Sequence, residues 1–158
     1  MKRLILPFVI LLGCVSAYSV DRDNMILISK KEMNLYVVNS VSDTLFAAPI
    51  ACGMNLGNKT RKGDHKTPEG KFTILSIENS SGWSHDFHDG KGLRRHAYGP
   101  WFFRLKVPGF RSIGIHGTCL PESIGTRSSE GCIRLENNRL LELKQYVFPG
   151  MTVIIDKD

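Results

Sequence analysis

Only one stretch of this chain carries a helical apolar period, and it comes late. Across residues 136–147, Leu140, Leu143 and Val147, with Leu141, fall on one side of a 3.6-residue repeat. Pro149-Gly150 closes it, because proline cannot continue a helix. The chain before it is built from shorter units. Residues 24–30 read as a strand, Lys31-Glu32 as a turn and residues 33–39 as the hairpin partner. Residues 44–52, 71–77, 101–107 and 112–116 are further short strands, the last two around a Pro108-Gly109 turn, and residues 151–156 are a final one. Short apolar strands must bury their faces against other strands. The expected fold is therefore mainly β, a β-sandwich or flattened barrel of mixed sheets, with one helix after Cys132.

Two connections are too long to be ordinary turns. Residues 53–70 and 78–100 are polar and dense in Gly, Pro, His, Ser and Asp. Loops beyond about 12–15 residues are uncommon in a compact domain unless they are functional, so both are expected to flank a site. With 158 residues, 42% of them hydrophobic, the chain has enough material for one core and one domain. No repeat or linker divides it. Net charge is +6, and Lys2 and Arg3 supply two of those units. Basic residues are scattered among acidic ones, with no Lys/Arg block, so nucleic acid is not the expected partner. Attraction to an anionic polymer such as a cell wall stays open.

The first 17 residues read as an export signal. Met1-Lys2-Arg3 is a basic start, residues 4–12 are mostly apolar, and Gly13, Ser16 and Ala17 are small. The run is too short to span a bilayer, which takes roughly 20 apolar residues. Two processing routes compete. Cleavage after Val15-Ser16-Ala17 gives a mature start at Tyr18. Alternatively, Leu11-Leu12-Gly13-Cys14 is a lipobox and Cys14 carries a lipid that anchors the chain to a membrane. Both routes place the protein outside the cytoplasm, in the periplasm or cell envelope of a bacterium. Without Cys14, three cysteines remain, Cys52, Cys119 and Cys132. An odd number in an exported chain suggests one free thiol. If that thiol is Cys132, Cys52 and Cys119 either form a disulfide or are two small buried residues.

The densest chemistry lies between Ile115-His116-Gly117-Thr118 and Ser128-Ser129-Glu130-Gly131-Cys132-Ile133-Arg134-Leu135. Cysteine attacks as a thiolate, and an imidazole is the usual means of taking its proton or sharing an ion pair with it. Gly131 leaves room for a carbonyl substrate to approach the N–H groups of Gly131 and Cys132, candidate donors to an oxyanion. Arg134 either fixes the loop through carbonyls or binds a substrate carboxylate. Taken alone, one histidine and one cysteine read more readily as a satisfied core histidine and a buried structural thiol. His85, Asp86, His88, Asp89 and His96 offer a second cluster. No helix fixes their spacing, so a solvated or substrate-facing loop is expected there rather than a metal centre.

The larger pattern is more specific. Ile113-Gly114-Ile115-His116-Gly117-Thr118 followed by Ser129-Glu130-Gly131-Cys132-Ile133-Arg134-Leu135 resembles the signature of the L,D-transpeptidase (YkuD-like) catalytic domain. Residues 25–38 resemble its opening hairpin. Ile50-Ala51-Cys52-Gly53 and Lys66-Thr67-Pro68-Glu69-Gly70-Lys71-Phe72 resemble its next strand and Thr-Pro-Glu-Gly loop. Tyr98-Gly99-Pro100-Trp101-Phe102-Phe103 resembles its aromatic strand. The resemblance spans residues 24–156 and implies an enzyme of peptidoglycan cross-linking that needs no cofactor or metal, here expected to act as a monomer.

In that family's chemistry Cys132 attacks the amide between the third residue and the terminal D-residue of a tetrapeptide stem. His116, oriented by the Gly117 carbonyl, protonates the leaving amine. The thioester then passes to an amine of a neighbouring stem, a 3→3 cross-link, or to water, which is L,D-carboxypeptidase action. The N–H groups around Glu130, Gly131 and Cys132 would hold the oxyanion, Ser129 would shape the loop, and Arg134, Thr67 and Tyr98 would contact substrate. One position departs from the pattern: a second histidine usually precedes the Gly-Cys pair, and Glu130 stands there. Glu130 would orient a substrate ammonium, or disfavour the thiolate through its charge. A wall-binding protein with a dead site is the remaining alternative.

Overall fold

In the computed structural model, which describes residues 22–158, β1 (Met25–Ser29) and β2 (Asn34–Val38) form the expected antiparallel hairpin. Ile26 faces Val37 and Ile28 faces Leu35 across it. All four side chains are buried, since a strand's period of two puts alternate residues on one face. β3 (Thr44–Pro49) pairs with β2 and forms the sheet edge. The strand expected over 44–52 breaks there. Ile50 makes one last backbone bond to Met33, and Ala51 then exchanges two bonds of 2.9 Å with Arg134. The chain changes partners and leaves as β4 (Cys52–Gly53), heading for the cysteine segment.

β5 (Gly70–Asn79) is longer than the expected 71–77. The stretch beyond it contains a hairpin of its own, β6 (Ser84–Asp86) with β7 (Leu93–Arg95). Ser-His-Asp against Leu-Arg-Arg shows no apolar alternation, so only backbone pairing reveals it. β8 (Trp101–Leu105) and β9 (Gly114–His116) follow, then a 3₁₀ turn at Pro121–Ser123, β10 (Arg127–Ser129), β11 (Ile133–Arg134), α1 (Asn137–Leu143) and β12 (Thr152–Ile155). The main sheet runs β11-β9-β8-β5-β12-β1-β2-β3. It is mixed: β1 with β12 and β9 with β11 are parallel, the other pairs antiparallel. The fold is mainly β, a curled mixed sheet with one helix after Cys132.

That helix is shorter than its apolar period. It spans Asn137–Leu143, and the next turns tighten to bonds from Gln145 to Glu142 and from Tyr146 to Leu143. Pro149 disfavours helical geometry at Phe148 and would clash with the carbonyl four residues back, so the chain unwinds before reaching it. Leu140 and Leu143 are fully buried in one core with Ile115, Ile133, Leu135 and Phe103. Each such leucine contributes about 2 kcal/mol by leaving water. The helix thus clamps the strand that carries the histidine and the strand that follows the cysteine.

Candidate active site

Sheet register brings the expected residues together. Phe102 on β8, His116 on β9 and Arg134 on β11 lie in one row. Cys132 stands two positions before Arg134, in the bend just ahead of β11. His116, Cys132, Arg134, Tyr98, Ser129 and Glu130 all line one open cavity. The His116 ring stacks on Phe102, with centroids 5.4 Å apart and planes 10° apart, and meets the edge of Tyr98 at 4.9 Å.

The imidazole is also fixed by a hydrogen bond. His116 Nδ1 lies 2.6 Å from the Gly117 carbonyl oxygen. A carbonyl only accepts, so Nδ1 carries the proton and Nε2 keeps a lone pair. Gly117 is itself wedged: a Cβ there would stand 2.1 Å from Asn137 Oδ1 and 3.0 Å from Gly99 Cα. Asn137 Oδ1 accepts from the Thr118 N–H at 2.9 Å. Only glycine lets these backbones close on the histidine's carbonyl partner. Asn137 carried no signal in the sequence, because it belongs to no motif and merely begins the helix.

Burial decides the resting charges. His116 is 2% exposed, and burial pulls its pKa down to about 3, against the Gly117 hydrogen bond. Burial likewise pushes the Cys132 thiol up, despite a backbone hydrogen bond and the positive charges of Arg134, Lys59 and Arg104. The resting pair is a neutral imidazole and a neutral thiol, with Cys132 Sγ 3.3 Å from the Ser112 carbonyl oxygen. Of the two possibilities, proton transfer to His116 or a standing ion pair, this environment favours the first.

The loop before the cysteine corrects two expectations. The Gly131 N–H donates to Ser129 Oγ at 3.1 Å and is not free for an oxyanion. Ser129 Oγ in turn donates to the Cys132 carbonyl at 2.5 Å, so this buried hydroxyl ties the turn. Thr67 is 1% exposed and does not line the cavity. Its hydroxyl donates to the Gly131 carbonyl at 3.0 Å and accepts from the Gly53 N–H at 2.8 Å, which makes it a clamp behind the loop rather than a substrate contact. Gly131 adopts φ +129°, and a Cβ on it would meet the Lys66 carbonyl at 2.6 Å. Arg134 holds the Ser128 carbonyl at 3.5 Å, sits over the Phe87 ring at 4.9 Å, and has a buried Nε with no protein partner. Tyr98 lines the cavity beside His116.

Both long connections reach the cavity. From the first come Lys59 and Lys62. That loop is organised by Asp64, which accepts from Lys59 Nζ at 2.7 Å and from the N–H groups of Thr60, Arg61 and Lys66. Burial alone would raise its pKa, but these bonds outweigh it and hold the carboxyl well below the usual carboxylate range. From the second come His85 and Phe87 on the β6–β7 hairpin. His85 Nε2 lies 3.3 Å from Glu130 Oε2. The rest of the His/Asp cluster splits into separate local contacts: His88 Nδ1 lies 3.9 Å from Asp86 Oδ1, Asp89 pairs with Arg94, and His96 Nδ1 bonds the Ser81 carbonyl. Among the described residues no three His, Cys, Asp or Glu side chains converge on a metal position. Cys52 and Cys119 are both free thiols, so no disulfide joins them. No helix among the described residues is long and apolar enough to cross a membrane. Residues 1–17, including Cys14, lie outside the described residues.

The family model of the L,D-transpeptidase catalytic domain, YkuD, matches residues 23–155. The chain belongs to that family. It is 28% identical over 149 residues to the Bacillus subtilis protein named "Putative L,D-transpeptidase YkuD", covering 94% of this chain and 74% of that one. Among solved structures, this transpeptidase domain is similar to the helical cell shape determining protein Pgp2 of Campylobacter jejuni. Identity is 26%, the TM-score is 0.62, and the match covers 85% of this chain and 48% of that one. The chain thus spans about half of Pgp2. It also matches the fold of the catalytic domain of the Enterococcus faecium L,D-transpeptidase, with a TM-score of 0.60 at 19% identity, covering 87% of this chain and 99% of that domain. Family membership implies an acyltransferase.

Proposed function

We propose that this domain is a cysteine-dependent L,D-transpeptidase acting on peptidoglycan stem peptides. The observation that carries the reading is the His116 tautomer. The Gly117 carbonyl claims Nδ1–H and leaves Nε2 as a base in the cavity that holds Cys132. Cys132 gives its proton to Nε2 as its sulfur attacks the amide carbonyl before the terminal D-residue. The leaving amine takes that proton, and a thioester remains on Cys132. With the Gly131 N–H occupied, the N–H groups of Glu130 and Cys132 are the donors left for the oxyanion. An amine of a neighbouring stem then displaces the thiol, giving a 3→3 cross-link. Cysteine chemistry of this kind conserves the acyl bond and needs no nucleotide, which suits a chain whose first 17 residues read as an export signal. We place it in the periplasm or cell envelope, in wall remodelling. Its likeness to a cell-shape protein supports that role.

Incubation with a purified disaccharide-tetrapeptide, followed by mass spectrometry, tests this. A cross-linked dimer lacking one D-alanine is expected, and Cys132→Ala is expected to abolish it. Tripeptide alone would identify an L,D-carboxypeptidase using the same thioester. No product, and no adduct on Cys132 with a carbapenem, would refute the enzyme and leave a wall-binding protein. Mass analysis of the mature N-terminus separates a start at Tyr18 from a lipidated Cys14.

A further inference from the structure

The cavity around Cys132 is lopsided in charge. Lys59, Lys62 and Arg134 bring positive charge to it, and Glu130 is the only carboxylate on its lining. Lys59 is already matched by Asp64, and Arg134 is held by the Ser128 carbonyl and the Phe87 face. Glu130 is different. Its side chain is 39% exposed, and among the described residues His85 is its one ion-pair partner, with Arg134 and Tyr98 within electrostatic reach. That contact uses Oε2, and among the described residues no hydrogen bond to Oε1 is seen, on a residue that lines the cavity. His85 is not a loose surface group. Its ring packs edge-on against Phe87 at 4.8 Å and Tyr98 at 5.7 Å, and Tyr98 packs in turn on His116. A carboxylate two residues from the nucleophile is therefore positioned by a hairpin from elsewhere in the chain, through one of its two oxygens.

A carboxylate beside a thiol that must ionise is a cost to the first half-reaction, because its charge opposes the thiolate. It is useful only if something positive arrives later. The second half-reaction supplies such a group. An acceptor amine reaches the thioester as an ammonium, and a charge-assisted hydrogen bond to a carboxylate is the strong way to hold one.

We propose that Glu130, positioned by His85, is the subsite for the ammonium of the acceptor, and so determines that the thioester passes to an amine rather than to water. This rests on the thioester reading above. The ammonium docks on Glu130 and releases one proton to solvent. Its nitrogen forms the new amide bond as the carbon–sulfur bond breaks. The second proton passes from that nitrogen through His116 Nε2 to the Cys132 sulfur, which leaves as the thiol. Lys62, on the same lining, offers a cation to carboxylates of the donor stem.

The test is a partition measurement. Enzyme is incubated with disaccharide-tetrapeptide as donor and D-alaninamide, an ammonium without a carboxylate, as acceptor. The aminolysis and hydrolysis products are quantified by mass spectrometry. Both products come from one thioester, so their ratio does not depend on how fast the thioester forms. Glu130→Gln is expected to lower the ratio about tenfold, by raising the D-alaninamide concentration that gives half-maximal partition. Glu130→Asp, which keeps the charge, is expected to restore most of it. In the unaltered enzyme that half-maximal concentration is expected to rise with ionic strength, which tests the charge interaction without any variant. An unchanged ratio in Glu130→Gln that still forms product, or no effect of salt, overturns the assignment while the thioester reading stands. If the unaltered enzyme forms no product at all, both fall together.

Discussion

The neutral burial of His116 has a thermodynamic consequence that can be measured apart from activity. Its folded pKa is depressed to about 3, whereas an unfolded chain presents an ordinary histidine near 6.5. Above about pH 6.5 both states hold the imidazole neutral, and its contribution to stability is fully present. As pH falls from about 6.5 toward 3, only the unfolded state takes up the proton, so stability is lost. Between pH 7 and pH 4.5 this one group removes about 2.5 kcal/mol, from about 1.9 pH units of linkage at 1.36 kcal/mol each. The figure changes little if the folded value moves by a unit, because pH 4.5 still lies above it. Carboxylates also titrate in this window, so the assay is a difference. Urea unfolding of the unaltered chain and of His116→Gln is measured at both pH values. The variant is expected to be less stable at pH 7, and its loss on acidification is expected to be about 2.5 kcal/mol smaller. Equal losses in the two proteins would refute a buried, neutral His116. Activity supplies a parallel reading: the acid limb of kcat/KM is expected well below pH 6.5, since His116 stays a base there.

Three other perturbations separate the supports of the site. Gly117→Ala drives a methyl into Asn137 Oδ1, where a Cβ would stand 2.1 Å away. It is expected to cost about 2–3 kcal/mol in urea unfolding and to lower kcat more than tenfold, because the carbonyl that sets the tautomer must move. Thr67→Val leaves the Gly53 N–H and the Gly131 carbonyl without their partner. A thermal melt is expected to fall by several degrees, consistent with about 1–3 kcal/mol for buried polar groups left unsatisfied. Asp64→Asn breaks the buried pair with Lys59. A loss of about 3 kcal/mol is expected, with earlier protease cleavage inside residues 53–70 as the readout.

The sequence made the strands around the core legible because their apolar alternation is written in side chains. The β1–β2 and β8–β9 hairpins stand where that alternation put them. What it concealed is written in the backbone. The β6–β7 hairpin has no apolar face to announce it, and β4 leaves the sheet only because Ala51 finds Arg134 instead of β2. The same division runs through the site. His116 and Cys132 were legible as types at a spacing, and Gly117 and Tyr98 only through the family resemblance. Thr67 was read as a substrate contact because it lies in a recognisable loop, yet its hydroxyl is consumed by two backbone groups. The contact between His85 and Glu130 joins residues 45 positions apart, and no local pattern encodes it.

The spacing of histidine and cysteine also acquires a physical reason. β9 ends at His116, and β11, which begins just after Cys132, lies beside it in parallel. Parallel neighbours cannot be joined by a tight turn. The chain must travel back along the strand before it can pair again, which takes a dozen or more residues. Residues 117–132 make that return, through the 3₁₀ turn at Pro121–Ser123 and β10, which pairs with β4 on the way. Gly125 N–H bonds the Ile50 carbonyl and the Met54 N–H bonds the Ser129 carbonyl, so the return is stitched to the strand that Ala51 redirected. The crossover therefore does two things at once. Its length satisfies the parallel pairing that puts Arg134 beside His116, and its last turn presents Glu130 and Cys132 to the cavity. A nucleophile on a shorter connection would have to sit on an antiparallel neighbour, where the turn itself would fill the space that the substrate needs.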